Sequence, residues 1–486
     1  MNKELILVAG ATGYIGGRLI PILIDKGYRI RCLARDPSRL QGRWSNVEII
    51  AGDVLKPETL PPAFKDVTIA YYLVHSLSAG EKKFEEQDII AARYFSNAAS
   101  SARIKRIIYL GGLGAEEDTL SPHLRSRQNT GRILREGDVP VTEFRAGVII
   151  GSGSLSFELI RYLTERLPVM ICPRWVSTRI QPIGVTDVLR YLSACIEIPE
   201  STGTIIEIGG TDVMTYADMM LKYAKVRGLK RLLLHVPLLT PRLSSYWVGL
   251  VTPIPNSIAR LLIEGLKNEV ICRSTKAHEL FLFTPMGFEE AVKLALERFQ
   301  SGQVETVWHS STWAFPQSSS ISEQLTNKEG LIIERHQIKT TVSASSIFKV
   351  IKSLGGANGW LYAQWLWRIR GMLDRLSGGI GFRRGRRSPA ELRTGDPVDF
   401  WRVEAYEDDK LLRLYAEMKL PGKAWLEFQI HQESPKNNKL TQTAYFEPHG
   451  LAGQLYWASL YPFHRIIFRG LIQSIISKAE QSDSIK

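Results

Sequence analysis

From residue 4 to about 210 the apolar positions fall in short, β-branched runs: Leu5-Ile6-Leu7-Val8, Arg29 to Ala34, Val47 to Ala51, Val67 to Val74, Arg106 to Leu110 and Val141 to Ile150. Between them the spacing changes to the helical rhythm, in Tyr14 to Lys26, which stops at Gly27, and in the longer Glu81 to Ala102, charged on one side and apolar on the other. Strands that alternate with helices predict βαβ units and an α/β fold, a doubly wound parallel sheet of Rossmann type buried beneath crossover helices. Residues 211 to 300 read as mostly helical, broken by Pro237, Pro241, Pro253 and Pro255, and suit a small substrate-side lobe.

Beyond residue 300 the pattern changes. Residues 301 to 331 are rich in Ser, Thr, Gln and Glu, including Ser318-Ser319-Ser320, yet carry Trp308, Trp313 and Phe315; they read as a partly docked connector. One strand (Ile332 to Thr341) and two helical stretches (Ser345 to Leu354, Trp360 to Leu376) come next. Four strands then follow without crossover helices, Asp399 to Tyr406, Leu411 to Lys419, Ala424 to Gln432 and Lys439 to Phe446, before a closing helix from about Ala452 to Lys478. Consecutive strands require an antiparallel sheet, and the long last helix is available to cover it, so residues 332 to 486 are expected to form an α+β domain distinct from residues 1 to 300.

Composition adds bounds rather than a function. At about 150 residues per domain, 486 residues suggest two to four domains, and 44 % hydrophobic with 23 % charged residues excludes disordered and fibrous classes. The net charge of +13 favours anionic partners without choosing among them. Cys32, Cys172, Cys195 and Cys272 are far apart, which argues against a zinc ribbon or a disulfide framework and suits a reducing cytoplasm. No histidine pattern points to a metal site. The apolar start is too short for a signal peptide, and the most apolar late stretch, Leu451 to Phe463, runs into His464 and Arg465, too short to span a bilayer. A cytoplasmic protein, peripheral at a membrane at most, is expected.

The chemistry begins directly after the first strand, where Gly10-Ala11-Thr12-Gly13-Tyr14-Ile15-Gly16 precedes a helix. Glycines at the first, fourth and seventh places allow a tight turn and a close approach of pyrophosphate to backbone, and the helix N-terminus offers free N–H groups at the positive end of its dipole. Strand two ends in Ala34-Arg35-Asp36: an arginine here accommodates the 2′-phosphate of NADP, whereas the adjacent aspartate leaves NAD open.

The GATGYIG turn, Gly52-Asp53-Val54 after strand three, Arg145-Ala146-Gly147 leading to Gly151, and Gln181-Pro182-Ile183 with Asp187 together resemble the extended and atypical short-chain dehydrogenase/reductases, NmrA-like members especially, over residues 3 to 210. The resemblance implies that Asp53 and Val54 sit against the adenine and that Val74-His75-Ser76 passes near the nicotinamide ribose. It also exposes a departure. Classical members use a serine and a Tyr-x-x-x-Lys pair; residues 3 to 210 have no such motif, read Leu110-Gly111-Gly112 where the serine is expected, and carry His123-Leu124-Arg125-Ser126-Arg127 in the tyrosine region. His123 and Arg127 keep the four-residue spacing that places both on one helix face. A histidine near its ordinary pKa can act as a general acid with a neighbouring cation tuning it or holding an oxyanion; a helix-capping surface role is the alternative.

Six of the eleven tryptophans (360, 365, 367, 401, 425 and 457) lie in the last part of the chain, which suggests an apolar cavity or interfacial surface. The order of elements there resembles the START-like helix-grip superfamily, and the resemblance implies an apolar ligand beneath the terminal helix. Eight arginines between Arg368 and Arg393 follow the aromatic run, many in the loop Gly378 to Ser388; such a pairing suits an anionic membrane surface, while no nucleic-acid fold accompanies it. The sequence therefore points to an NADP-preferring oxidoreductase acting on a hydrophobic small molecule or lipid. The rival expectation is a catalytically silent NADP-binding sensor or assembly protein.

Overall fold

The structure is a computed structural model, and it describes residues 4–75, 84–115, 120–236, 252, 260, 263–297, 321–376, 391–434 and 437–483. Ser76, the four prolines at 237, 241, 253 and 255, Trp308, Trp313, Phe315, Ser318 to Ser320 and the arginine loop 378–388 lie outside them. The chain divides into two compact units, residues 1–164 with 168–300, and residues 165–167 with 301–486.

In the first unit, seven strands form one parallel sheet: β1 (Leu5–Ala9), β2 (Arg29–Ala34), β3 (Val47–Ala51), β4 (Ile69–Tyr72), β5 (Arg106–Gly112), β6 (Val141–Ala146) and β7 (Ile205–Ile208), in the order β7-β6-β5-β4-β1-β2-β3. The chain reverses its winding direction between β1 and β4, so a crevice opens at their carboxyl ends, where such sheets bind ligands. All five residues of β1 are buried, and each fully buried Ile or Leu there stabilises the sheet by roughly 1.5–3 kcal/mol. Helix α1 (Tyr14–Asp25) turns Leu19, Ile20 and Leu23 inward, while α2 (Phe84–Ser101) buries Ala91, Ala92, Phe95 and Ala99 against Tyr72 and Phe64. Phe95 lies 4.8 Å from the Tyr72 ring and 4.9 Å from Phe64. Helix α3 (Pro122–Arg135) starts on Ser121, whose hydroxyl accepts the Leu124 N–H, with proline at its first position.

The lobe expected to be mostly helical also contains a strand. Helices Tyr216–Val226, Lys276–Leu280 and Phe288–Glu297 are present, but Leu232–His235 pairs in parallel with Val169–Cys172. A run of leucines has no period with which to separate buried strand from helix.

The second unit carries a seven-stranded sheet: β8 (Ile321–Lys328), β9 (Leu331–Thr340), β10 (Pro397–Val398), β11 (Trp401–Glu407), β12 (Leu411–Ala416), β13 (Gly422–Ser434) and β14 (Asn437–Pro448), antiparallel throughout in the order β8-β9-β14-β13-β12-β11-β10. Between β9 and β10 stand helices α4 (Ala344–Lys352) and α5 (Gln364–Leu376), and α6 (Gly450–Asp483) closes the chain. Ile467, Leu471, Ile472 and Ile475 of α6 share one core with Ile347, Ile351, Leu414, Phe428 and Leu440. The end of the stretch read as a connector is strand β8. Its Ser322, Glu323, Gln324, Thr326 and Asn327 give no alternation because β8 is an edge strand with no buried face, and even Leu325 is 46 % exposed. The hairpin to β9 turns through Glu329 and Gly330, both with positive φ, as a two-residue turn of the hairpin type requires.

Candidate functional site

The glycine turn is built for a close backbone approach. Gly10 has φ +96°, and a Cβ there would stand 2.5 Å from the Leu73 carbonyl oxygen; one on Gly16 would stand 2.3 Å from the Gly10 oxygen. Gly10 thus lets β1 and β4 close up, and Gly16, outside the cleft lining, lets α1 pack onto the turn. The Gly13 N–H donates to the Gly10 oxygen at 2.9 Å, and Gly13 caps α1 without a side-chain hydrogen bond. No acidic residue stands in the first turn of α1, so its N–H groups face the cleft without a competing carboxylate. A bulky residue at exposed Gly13 would fill this cradle, which fits a pyrophosphate.

A cleft of about 570 Å³ extends from this turn along the strand ends. Gly10, Thr12, Gly13, Tyr14, Ile15, Arg35, Asp53, Val54, Val74, His75, His123 and Arg127 all line it. Arg35 is exposed at the end of β2, whereas Oδ1 of its neighbour Asp36 accepts from the Ser38 N–H (3.1 Å) and hydroxyl (2.6 Å), capping a short turn. Asp53 accepts the Leu55 N–H at 3.1 Å, which holds the loop bearing buried Val54 against the cleft. The walls also carry the apolar side chains Leu124, Val148, Leu155, Leu266 and Val270.

At the carboxyl ends of β4 and β5 a chain of polar side chains enters the cleft. Asp88 of α2, 3 % exposed, places Oδ2 3.0 Å from His75 Nδ1 and accepts the Ser126 hydroxyl at 2.9 Å; His75 Nε2 stands 3.2 Å from His123 Nδ1. An ionised Asp88 fixes the order of donors: Nδ1–H of His75 donates to the carboxylate, Nε2 of His75 accepts from Nδ1–H of His123, and Nε2 of His123 is left as the basic nitrogen for a ligand. Both imidazoles are held neutral. Burial first, then the charge of Arg127, lowers the His75 pKa against the pull of Asp88. Burial, His75 and Arg127 push His123 down to about 3, and its place in the first turn of α3, at the positive end of the helix dipole, acts in the same sense.

The expectation that His123 titrates near its ordinary pKa is therefore corrected: burial and its charged neighbours hold the imidazole neutral. Arg127 does lie one turn on from it, but its guanidinium donates to the Leu110 carbonyl and stands 5.0 Å over the Tyr109 ring, so it reaches His123 through charge. Asp88 and Ser126 escaped the sequence reading. A signal existed for Asp88, which shares the helical stripe of the buried Ala91, Ala92, Phe95 and Ala99 and is the one charge on it.

Residues 10–146 match the family model described as NAD(P)H-binding, and residues 331–471 match that of a protein of unknown function, DUF2867. The chain is 22 % identical over 247 residues to the photosystem II assembly factor Ycf39 of Trieres chinensis, covering 50 % of this chain and 76 % of that protein. It is 27 % identical over 237 residues to the ceramide reductase of Caulobacter vibrioides, covering 48 % and 74 %. The solved structure of a triphenylmethane reductase from Citrobacter sp. shares the fold, with a TM-score of 0.50 and 21 % identity over 60 % of this chain and 99 % of that one. The first unit is an NAD(P)-binding domain of Rossmann type. A separate antiparallel-sheet domain of the DUF2867 family follows it. No helix among the described residues is long and apolar enough to cross a membrane.

Proposed function

We propose that the protein is an NADP(H)-dependent oxidoreductase that interconverts a carbonyl and a hydroxyl group on a hydrophobic small molecule. The observation that carries this reading is the Asp88–His75–His123 chain, which enters the cleft of the glycine turn where a substrate oxygen would lie. Arg35, exposed on the cleft wall while Asp36 is occupied by Ser38, supports the 2′-phosphorylated cofactor. The apolar wall residues support the substrate class, in keeping with the name of the ceramide reductase relative.

When bound, a nicotinamide exchanges a hydride with the substrate carbon. His123 handles the proton. In the oxidising direction its Nε2 takes the hydroxyl proton, and Asp88 stabilises the positive charge shared by the two imidazoles. In the reducing direction Nε2 takes up a proton first and delivers it to the carbonyl oxygen, so reduction slows as pH rises. The sensor reading has its own support: residues 1–300 contain no Tyr-x-x-x-Lys pair, and the histidine in its place rests neutral. The two are separated by incubating the protein with NADPH and a panel of hydrophobic ketones and aldehydes. Substrate-dependent NADPH loss matched by alcohol formation, faster at lower pH, is expected; tight NADPH binding without turnover on any of them leaves the sensor.

A further inference from the structure

The antiparallel-sheet domain has a cavity of its own. The structure holds a cavity of about 290 Å³ between α5, α6 and the sheet, walled by Leu366, Leu373, Leu420, Phe446, Phe463 and Ile467 among others. Its size, at the lower end of the roughly 300–1,000 Å³ usual for ligand pockets, suits one hydrocarbon chain rather than a two-chain lipid. Leu373 and Phe463 are half exposed as well as lining it, so the cavity opens through an apolar rim.

The unpartnered polar side-chain atoms of this cavity are all nitrogens. Arg370 Nη2, His464 Nδ1 and the indole nitrogens of Trp367, Trp401 and Trp457 all belong to lining residues, and each is buried without a hydrogen-bond partner. Guanidinium and indole nitrogens only donate, and no Asp or Glu is among the described residues that line the cavity. Buried donors left unpaired are costly, the charged one most, so several gathered on one apolar cavity call for an acceptor brought by a ligand. Arg370, 5.6 Å from the Tyr456 ring centroid, supplies a positive charge at that end. Burial and this charge push His464 down to about 4, which keeps it neutral and able to donate to an anion.

We propose that this cavity binds a single-chain carboxylic acid, its hydrocarbon among the leucines and phenylalanines and its carboxylate on Arg370, His464 and the tryptophan N–H groups.

The full-length protein is titrated with dansyl-undecanoic acid, followed by fluorescence, and the probe is displaced by dodecanoic acid or its methyl ester. Saturable binding is expected, with the acid displacing the probe at least about tenfold better than the ester, a difference of about 1.4 kcal/mol. Arg370→Gln is expected to remove most of that preference. Ala424→Phe, at a partly buried lining position, fills the cavity and should abolish binding with the far-ultraviolet circular dichroism unchanged. Absence of saturable probe binding, equal displacement by acid and ester, or an Arg370→Gln variant with wild-type preference overturns the proposal. So does binding to phosphatidylglycerol vesicles that dodecanoic acid does not compete away. NADPH plays no part in these readouts, so they stand apart from the oxidoreductase reading.

Discussion

The neutral histidine pair makes the stability of the first domain depend on pH in a calculable way. His123 titrates near 6.5 in an unfolded chain and at about 3 in the fold, so between these values the unfolded chain binds a proton that the folded one refuses. Unfolding is then favoured as pH falls: the stability is complete above about pH 6.5 and is lost progressively toward pH 3. At pH 5 the unfolded-state pKa lies 1.5 units above the solution, which costs about 2 kcal/mol, or roughly a thirtyfold change in the opening equilibrium. His75, lowered in the same direction, adds to it. Hydrogen exchange of the β5 amides Ile107 and Ile108, corrected for intrinsic rates, reads this equilibrium at the centre of the sheet. Wild type is expected to lose at least about thirtyfold in protection between pH 7.5 and 5, while His123→Asn, whose amide can still donate to His75, loses about thirtyfold less over the same interval. Equal losses in the two proteins would show that His123 does not rest neutral, and the donor order drawn from it would fail.

Other substitutions test separate parts of the site. Arg35→Ala should weaken NADP(H) by about one to two orders of magnitude in calorimetric titration, as loss of a charge-assisted contact does, and leave NAD(H) unchanged. Gly13→Val should abolish both, because its branched side chain occupies the pyrophosphate cradle. Gly131→Ala would set a methyl group 2.6 Å from the buried Glu143 carboxylate, which is held by Arg145 at 2.8 Å and Arg135 at 3.0 Å; denaturant titration should show a loss of about 1–3 kcal/mol.

The parallel sheet was legible because strands such as β1 and β4 are continuous apolar runs and its turns carry residues that only that geometry demands, such as Gly10 and Gly16. The second domain was legible in its order of elements because Leu411 to Ala416 alternates throughout and β13 alternates in sequence from Leu426 to His431. Strand β8 was not, since an edge strand without a buried face has no reason to alternate. In the site, sequence brought His75 and His123 into one cleft through strand-end logic and helical spacing, 48 residues apart. It misjudged the protonation of His123, because burial, the positive end of α3 and the reach of Arg127 exist only in three dimensions. The tryptophans divide likewise: Trp360 is a core residue, its indole donating to Asp399 at 2.9 Å, while Trp367, Trp401 and Trp457 wall the cavity.

The central claim is that a proton passes through His123 as a hydride passes to or from NADP(H), and single-turnover NADPH oxidation by wild type and His123→Ala, with the best carbonyl substrate of the panel, tests it most directly. The variant should bind NADPH with wild-type affinity and be slower by about 10²–10⁴ in the reduction step, as loss of a positioned proton donor entails. A variant within threefold of wild type contradicts the account and moves the proton chemistry to His75 or out of this cleft.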